Sequence, residues 1–331
     1  MGGTTGNPEN NEIRLKAGPD DDGRRLDRIL RKALPGCALS LAHRLLRQRK
    51  VLVDGKPAAA DARVGAGQEI VARLDRAFAG TPALAPAENP AELPREIARG
   101  AGIVFFDKPA GMPSHGPGSL DEIFKASHAA SGARKSLSFV PGPLNRLDRP
   151  TSGLIAFSLT LDGARLFTRL LRERRVEKTY LAIVDGIPGS GALEWKDALD
   201  RDHDERRTFV ARPGDSAGSA KDALTIVRVL AASKRRALIE ARIATGRTHQ
   251  IRAQAAARGH PLSGDAKYGG RAPEGGDFFL HAWKLGFSEE IPGLPALIAA
   301  PPPPRFARAI RAEFGPGAES VLAEMNCPTC A

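Results

Sequence analysis

The stretch Asn145-Arg146-Leu147-Asp148-Arg149-Pro150-Thr151-Ser152-Gly153-Leu154 decides the fold of this chain. Its centre is Asp148, which has an arginine two residues before it and another directly after it. A Pro-Thr-Ser-Gly turn follows, and the apolar run from 154 to 159 predicts a strand. A carboxylate on a loop at the entrance of a strand can meet a ligand, and flanking guanidinium groups favour its ionised form. Taken alone, such an aspartate is more often part of a structural ion pair at a turn.

Three further blocks of sequence occur with this stretch in a fixed order. They are Asp107-Lys108-Pro109-Ala110-Gly111-Met112, Glu177-Lys178-Thr179-Tyr180-Leu181-Ala182 and Thr245-Gly246-Arg247-Thr248-His249-Gln250-Ile251-Arg252, followed by Gly264-Asp265, Tyr268-Gly269 and Leu280-His281-Ala282. Together they resemble the RluA-type pseudouridine synthases, whose catalytic motif is usually written His-Arg-Leu-Asp-x-x-Thr-Ser-Gly. Asn145 stands where that family usually has His. The resemblance covers residues 99 to 290, approximately, and a chance match of four blocks in one order is not expected.

The resemblance implies a fold and a set of site residues. The implied fold class is α+β, the pseudouridine-synthase fold, with a mixed, largely antiparallel central sheet and the active site in a cleft across it. The implied catalytic residues are Asp148 as nucleophile or base, Arg252 as its charged partner and Tyr180 as the aromatic ring that packs on the target base. The substrate-binding residues are Arg146, Arg149, Thr151, Arg247, His249 and Ile251. Core packing is the alternative for Tyr180 and Ile251, and for His249 the expected role is to orient its loop or meet a phosphate.

Composition favours a polyanionic partner. The 331 residues include 49 Lys and Arg against 38 Asp and Glu, a net charge of +11. Such a balance fits a polyphosphate such as nucleic acid best, although a GC-rich genome would also raise the content of Arg and Ala. The sequence has no Gly-x-Gly-x-x-Gly run, no Walker loop and no metal-ligand cluster, so we expect no cofactor and no metal. Cys327 and Cys330 have the spacing of half a zinc site, but a closed site takes four ligands.

The N-terminal region is predicted to form a separate RNA-binding module over residues 23–74. Nine Lys or Arg fall between residues 24 and 50, and Asp27 alone opposes them. Two short helices with a shared basic face can follow a phosphate backbone. The stretch resembles the alpha-L RNA-binding motif first known from a small-subunit ribosomal protein, through Arg25-Leu26-Asp27, Leu45-Leu46, Val51-Leu52-Val53-Asp54-Gly55 and Gly67-Gln68-Glu69-Ile70. The residues predicted to contact RNA are Arg25, Arg28, Arg44, Arg47, Arg49 and Lys50.

The remaining boundaries follow from composition. Residues 1–22 are polar and predict a disordered tail, and the Pro-rich residues 75–98 predict a linker. The catalytic domain is expected over residues 99–300, with a C-terminal extension over 301–331 and a short helix from Phe306 to Phe314. No apolar run approaches the ~20 residues that span a bilayer, so no membrane association is expected. With a polar N-terminus and few cysteines, the chain is expected to be a reduced, cytoplasmic monomer.

The predicted function is the isomerisation of specific uridines to pseudouridine in structured RNA. The basic module favours ribosomal RNA as the substrate, and transfer RNA stays open. A non-catalytic RNA-binding or ribosome-assembly factor on the same fold is the main alternative, because Asn145 departs beside the nucleophile. An aspartate-dependent hydrolase would need a second carboxylate or a metal site that the motifs do not supply.

Overall fold

A computed structural model of the chain describes residues 5–7, 12–34, 36–74, 92–130, 136–202, 204–211, 219–271 and 278–326. The chain divides into two compact units. The first contains the described residues of Met1–Leu93, Asp121–Gly142 and Ser158–Arg165, and the second contains those of Pro94–Leu120, Pro143–Phe157 and Leu166–Ala331.

The first unit is built from a small sheet and two helices. Its elements are β1 (Thr5–Asn7), β2 (Glu12–Lys16), β3 (Arg24–Arg25), α1 (Leu26–Ala33), α2 (Leu39–Arg47), β4 (Val51–Val53), β5 (Lys56–Pro57), β6 (Arg63–Val64) and β7 (Glu69–Arg73). The sheet order is β1-β2-β7-β4-β5, with antiparallel neighbours throughout, and β3 pairs with β6. Leu26, Ile29 and Leu30 recur at helical spacing on α1, and all three are buried against α2 and the sheet. This confirms the two short helices that the sequence predicted in the module.

The prediction of a disordered tail is wrong for residues 12–22. Glu12–Lys16 alternates charged and apolar residues and pairs with β7, so that Leu15 enters the core. Asp21, in the run Asp20-Asp21-Asp22, is fully buried and accepts hydrogen bonds from the backbone of Gly18 and from residues 136–138. Burial alone would raise the pKa of Asp21, but these hydrogen bonds hold that pKa below its usual value. The rest of the predicted tail, apart from β1, lies outside the described residues.

The second unit contains most of the remaining elements. They are β8 (Glu96–Gly100), β9 (Ile103–Lys108), α3 (Leu120–Ala130), β10 (Gly142–Pro143), β11 (Ser152–Ser158), α4 (Leu161–Arg172), β12 (Val176–Asp185), β13 (Ala192–Asp202), β14 (Arg207–Val210), β15 (Lys221–Ala232), β16 (Arg236–Ile243), α5 (Gln250–Ala257), β17 (Leu280–Phe287), β18 (Leu297–Ala299), α6 (Pro304–Phe314) and α7 (Glu319–Asn326). Parts of α3, β10, β11 and α4 fall in the first unit.

One large sheet organises this unit. The described strands follow the order β14-β13-β15-β16-β12-β17-β11-β9-β8, with β10 beside β11 and β18 beside β17. Strands β11 and β17 run parallel. The pairs β13/β15, β15/β16, β16/β12 and β12/β17 are antiparallel. The predicted α+β class with a mixed, largely antiparallel sheet is therefore confirmed.

Both faces of the sheet are covered, as the alternation of side chains along β12 shows. Ala182 and Val184 pack in one cluster with Ile251 of α5. Leu181 and Ile183 pack in another cluster with Phe306 of α6. The predicted helix from Phe306 to Phe314 is confirmed as part of α6. The end of the catalytic domain was predicted at residue 300, and this boundary would separate α6 from the sheet on which it packs.

The predicted linker also ends too late. Residues 75–91 lie outside the described residues, but Glu96–Gly100 already forms β8 and pairs with β9. This strand was missed because charged residues at 96 and 99 make its sequence resemble a polar connection. Cys327 and Cys330, which have the spacing of half a zinc site, lie outside the described residues. None of the helices in the described part of the chain combines the length and apolar character needed to cross a membrane.

Candidate active site

The loop that carries Asp148 is fastened on both sides of that residue. Ser114 Oγ donates to the carbonyl of Leu147 at 2.8 Å and accepts from the Leu147 N–H at 3.1 Å. Asn145 Oδ1 accepts the backbone N–H of Ala156 at 2.8 Å, which ties the loop to β11. The Thr151 N–H closes a turn onto the Asp148 carbonyl at 3.0 Å. The loop therefore presents Asp148 from a fixed backbone.

A buried lysine, Lys108, is hydrogen-bonded to the same loop. Lys108, in the first motif block, is fully buried. Its Nζ donates to the carbonyls of Pro109, Met112 and Arg149 at 3.0, 2.8 and 3.3 Å. Burial lowers the pKa of Lys108 to about 8, against the opposing charge of Asp148. Three carbonyls match the three donors of an ammonium group, so Lys108 joins the first motif to the catalytic loop.

The glycine of the Pro-Thr-Ser-Gly turn is required by packing. Gly153 has φ +103°, and a Cβ on it would lie 2.2 Å from the carbonyl oxygen of Ala282. Gly153 and Ala282 face each other in the parallel pair β11/β17. The absence of a side chain therefore lets the strand after Asp148 approach β17.

Arg252 links Asp148 to a second carboxylate. Its Nη1 donates to Asp148 Oδ2 at 2.9 Å, while Nε and Nη2 donate to the two oxygens of Asp265 at 2.6 and 2.9 Å. The side chains of Arg252 and Asp265 are 7% and 2% exposed, and that of Asp148 is 24% exposed. The guanidinium also stacks on the rings of Tyr268 and Phe278. Burial alone would lower the pKa of Arg252, but both carboxylates hold it above its usual value.

The arrangement leaves one oxygen of Asp148 available. Within the described part of the chain, no hydrogen-bond donor reaches Asp148 Oδ1. The carboxylate is thus held by one oxygen, and the described residues place no donor on the other.

Tyr180 lies beside this carboxylate because of an irregularity in its strand. The register between β12 and β17 shifts between Thr179 and Tyr180, and such bulges re-aim a side chain. Tyr180 lines the pocket together with Ile251 and Leu280, and it also packs on the cluster of α5. Burial and the charge of Asp148 raise the pKa of Tyr180, so its hydroxyl stays protonated. The ring offers a flat apolar surface next to a carboxylate.

The pocket is thus a cleft with one carboxylate, one buried guanidinium and an aromatic wall. Its lining comprises Arg146, Leu147, Asp148, Thr151, Tyr180, Ile243, Arg247, His249, Gln250, Ile251, Arg252 and Leu280. Among the described residues, no group of three or more His, Cys, Asp or Glu is placed to hold a metal ion. An aromatic wall beside a carboxylate suits a planar base held against a nucleophile.

Comparison with known proteins identifies this arrangement. A family model of RNA pseudouridylate synthases matches residues 102–257, and a model of the S4 domain matches residues 24–70. The ribosomal large subunit pseudouridine synthase D of Nitrosomonas europaea is 31% identical over 321 residues, which cover 93% of this chain and 90% of that protein. The chain belongs to the RNA pseudouridylate synthase family. The ribosomal large subunit pseudouridine synthase C of Vibrio vulnificus is 28% identical over 88% of this chain and 95% of that protein.

Solved structures agree on the fold. Human RNA pseudouridylate synthase domain containing 1 superposes with a TM-score of 0.53 at 23% identity, over 68% of this chain and 90% of that one. The predicted family, fold and isomerase activity are therefore confirmed, and the predicted N-terminal module is an S4 domain.

The structure brings most of the predicted site residues of this synthase together. Eight of the nine predicted catalytic and substrate-binding residues line the pocket, and Arg149 does not. Its Nε donates to the carbonyl of Gly111 at 2.9 Å, so the side chain turns toward the first motif. Thr151 is buried, and its Oγ1 has no hydrogen-bond partner in the described part of the chain.

The basic residues predicted in the S4 domain fall into two sets. Arg28 lines two adjacent grooves of the first unit, one with Arg24, Arg31 and Lys32, and the other with Arg25, Arg63 and Arg165. Arg25 is partly neutralised, because it donates to both carboxylate oxygens of Asp27 at 3.1 and 2.8 Å. The second set lies on or just after α2 and lines neither groove. It consists of Arg44, Arg47, Arg49 and Lys50.

Sequence reasoning missed four residues that shape the site. Asp265, Tyr268 and Lys108 stood inside quoted motif blocks, and that was the only available signal. Gln250, also within a block, is buried at the start of α5. Its Oε1 accepts from Thr245 Oγ1 at 2.7 Å, and its Nε2 donates to the Leu224 carbonyl at 3.1 Å. The third motif therefore carries a structural glutamine beside its functional arginine.

Proposed function

We propose that this protein isomerises a uridine of ribosomal RNA to pseudouridine, with Asp148 as the reacting carboxylate. The observation that carries the proposal is the monodentate contact of Arg252 with Asp148, which leaves Oδ1 open beside the ring of Tyr180. Several relatives are named ribosomal large subunit pseudouridine synthases, which favours ribosomal over transfer RNA.

The reaction is an isomerisation that balances without a redox partner. The bond between ribose C1′ and uracil N1 breaks, and a bond from C1′ to C5 forms. The proton on C5 is lost, and N1 ends with a proton. Asp148 supplies the nucleophile or base, and Arg252 keeps its charge in a partly buried cleft.

The substrate nucleotide must leave the RNA stack to reach Asp148. Extrusion costs a few kcal/mol, and stacking of a base on an aromatic ring returns ~1–3 kcal/mol. Tyr180 and the apolar residues Ile251 and Leu280 provide that surface. Arg146 and Arg247 are exposed at the same pocket and suit the flanking phosphates.

The decisive experiment compares wild type with Asp148→Asn on RNA tritiated at uracil C5. The amide keeps the size of the side chain but removes the nucleophile. Wild type should release tritium from large-subunit ribosomal RNA, and Asp148→Asn should release none while retaining RNA on a filter. Turnover by Asp148→Asn would refute the mechanism. Binding without turnover by wild type would favour the non-catalytic factor, and turnover on transfer RNA alone would refute the ribosomal assignment.

We also propose that the grooves beside α1 carry the main RNA contacts of the S4 domain. Arg28 and Arg31 are exposed, and no ion pair engages either of them within the described residues. Each lost phosphate contact lowers the slope of log affinity against log salt by ~0.7–0.9. The variant Arg24→Ala/Arg28→Ala/Arg31→Ala should therefore lose about two units of slope. Arg44→Ala/Arg47→Ala/Arg49→Ala is the matched control on α2, and a larger loss there would place the contacts on α2 instead.

We further propose that the protein is a cytoplasmic monomer. Light scattering at working concentration should give the mass of one chain.

A further inference from the structure

His249 stands beside the reacting pair in an unusual backbone conformation. Its φ of 52° and ψ of 24° lie in the left-handed region, which non-glycine residues adopt rarely. The residue ends the third motif loop, and the Ala253 N–H of α5 donates to its carbonyl at 2.9 Å. Strained backbone of this kind occurs often at ligand sites, and His249 also lines the pocket.

Tyr268 decides which ring nitrogen of His249 carries the proton. Its Oη lies 2.9 Å from both the N–H and the carbonyl oxygen of Thr208. Thr208 is on β14, at the edge of the sheet, so its two backbone groups need this hydroxyl. The phenol has a single proton, which goes to the carbonyl. His249 Nδ1, 3.0 Å from Oη, can then only donate to it.

The ring of His249 therefore presents a lone pair at Nε2. This atom lies 3.6 Å from Asp148 Oδ2, and no donor of the described residues reaches it. Burial lowers the pKa of His249. The positive charges of Arg252 and Lys267 lower it further, whereas the negative charges of Asp148 and Asp265 oppose this shift. In this tautomer Nε2 is an acceptor, which suits a hydrogen-bond donor of the substrate better than the phosphate that the sequence suggested beside a loop-orienting role.

We propose that His249 Nε2 accepts a hydrogen bond from the extruded uridine and thereby selects the nucleotide. This inference rests on the proposed synthase function. An internal uridine has two hydrogen-bond donors, the N3–H of the base and the 2′-hydroxyl of the ribose. The first distinguishes uracil from cytosine, and the second distinguishes RNA from DNA. A site built to accept a hydrogen bond discriminates strongly against a substrate that lacks the donor.

The first arm of the test is spectroscopic and needs no activity. In protein labelled with ¹⁵N-histidine, the nitrogen shifts of His249 should show the neutral Nδ1–H form at pH 7.5. Tyr268→Phe should mix in the Nε2–H form, because the acceptor for Nδ1–H is lost. A wild-type ring that is charged or protonated at Nε2 refutes the inference.

The second arm measures coupling between residue and substrate. Turnover is compared on three RNAs that carry uridine, 2′-deoxyuridine or 3-deazauridine at the target position, the last with a C–H in place of N3–H. For wild type, turnover of one of the two analogue RNAs should be about 10–100-fold slower than turnover of the uridine RNA. His249→Leu should turn over the uridine RNA more slowly than wild type by a similar factor, and it should show no further loss on that analogue. His249→Gln, whose amide oxygen can accept at the same place, should recover part of the rate and of the discrimination.

Control variants separate recognition from folding and from the function itself. His260→Leu removes an imidazole outside the pocket and should leave all three rates in the wild-type ratio. Equal analogue penalties in wild type and His249→Leu would overturn the inference while leaving the synthase function intact. A wild type inactive on uridine refutes the proposed function, and the inference falls with it, although the tautomer result still stands.

Discussion

Removing Asp265 should cost more stability than any other single carboxylate of the site. Asp265 accepts two charge-assisted hydrogen bonds from Arg252, and both side chains are more than nine-tenths buried. Hydrogen bonds to charged groups are worth ~1.5–3 kcal/mol each, and breaking a buried ion pair costs about 3–5 kcal/mol. We therefore expect Asp265→Ala to lower the free energy of unfolding of the second unit by about 3–5 kcal/mol, measured by urea denaturation.

The matched control is a pair with the same geometry on the surface. Glu96 accepts two hydrogen bonds from Arg99 at 2.8 and 2.6 Å, but the two side chains are 39% and 56% exposed. Glu96→Ala should cost about 0–1 kcal/mol, because solvent screens the pair. A loss below about 1 kcal/mol for Asp265→Ala, equal to that of the control, would refute the estimate.

A double variant separates stability from chemistry. Arg252→Met/Asp265→Leu replaces the buried pair by apolar side chains of similar length, which is often neutral for stability. It should recover most of the stability lost in Asp265→Ala, yet release no tritium from RNA, since Asp148 loses its partner. Asp265→Ala itself should lose about 100-fold in turnover, the scale expected when a catalytic group shifts by roughly 1 Å.

Three further perturbations have defined outcomes. The fold holds the pKa of Lys108 at about 8, below its unfolded value, so unfolding takes up a proton between pH 8 and 10.5. As the pH rises through that window, the free energy of unfolding of wild type should therefore increase by about 3 kcal/mol relative to that of Lys108→Met, measured in urea melts at each pH. Tyr180→Phe should keep turnover within a few-fold, whereas Tyr180→Ala should lose about 10–100-fold with its melting temperature little changed; unfolding of the alanine variant would show that the ring belongs to the core. Asn145→His should stay within about tenfold of wild-type activity, since a neutral imidazole can also accept the Ala156 N–H, while Asn145→Ala should lose about 1–3 kcal/mol of stability in urea melts.

The residues of the candidate site could be located from the sequence because each lies in a block with its own local pattern. Asp148 and Arg252 are 104 residues apart in the chain, and only the resemblance placed them together before the structure did. The partners of those residues could not be predicted in the same way. Asp265 and Tyr268 act through contacts that the tertiary fold creates, and no spacing in the sequence indicates which buried arginine or histidine they meet.

The elements that sequence reasoning missed share a physical cause. Strand β2 alternates charged and apolar residues, and β8, at the edge of its sheet, carries charged residues at 96 and 99, as edge strands often do. A short polar strand of this kind has the composition of a loop, and it is recognised as a strand only from its pairing with β7 or β9. The burial of Asp21 could not be predicted either, because a buried carboxylate with several hydrogen-bond donors looks the same in sequence as a solvated one.

The second carboxylate explains how Asp148 can be both held and reactive. A guanidinium usually grips a carboxylate with two parallel hydrogen bonds, which would occupy both oxygens of Asp148. Asp265 takes that bidentate position on Arg252, so a single nitrogen, Nη1, remains for Asp148. The charge of Asp148 is thus compensated, while no donor of the described residues occupies Oδ1. Lysine at position 252 could supply the charge but not this division of donors, because its ammonium lacks the planar fork.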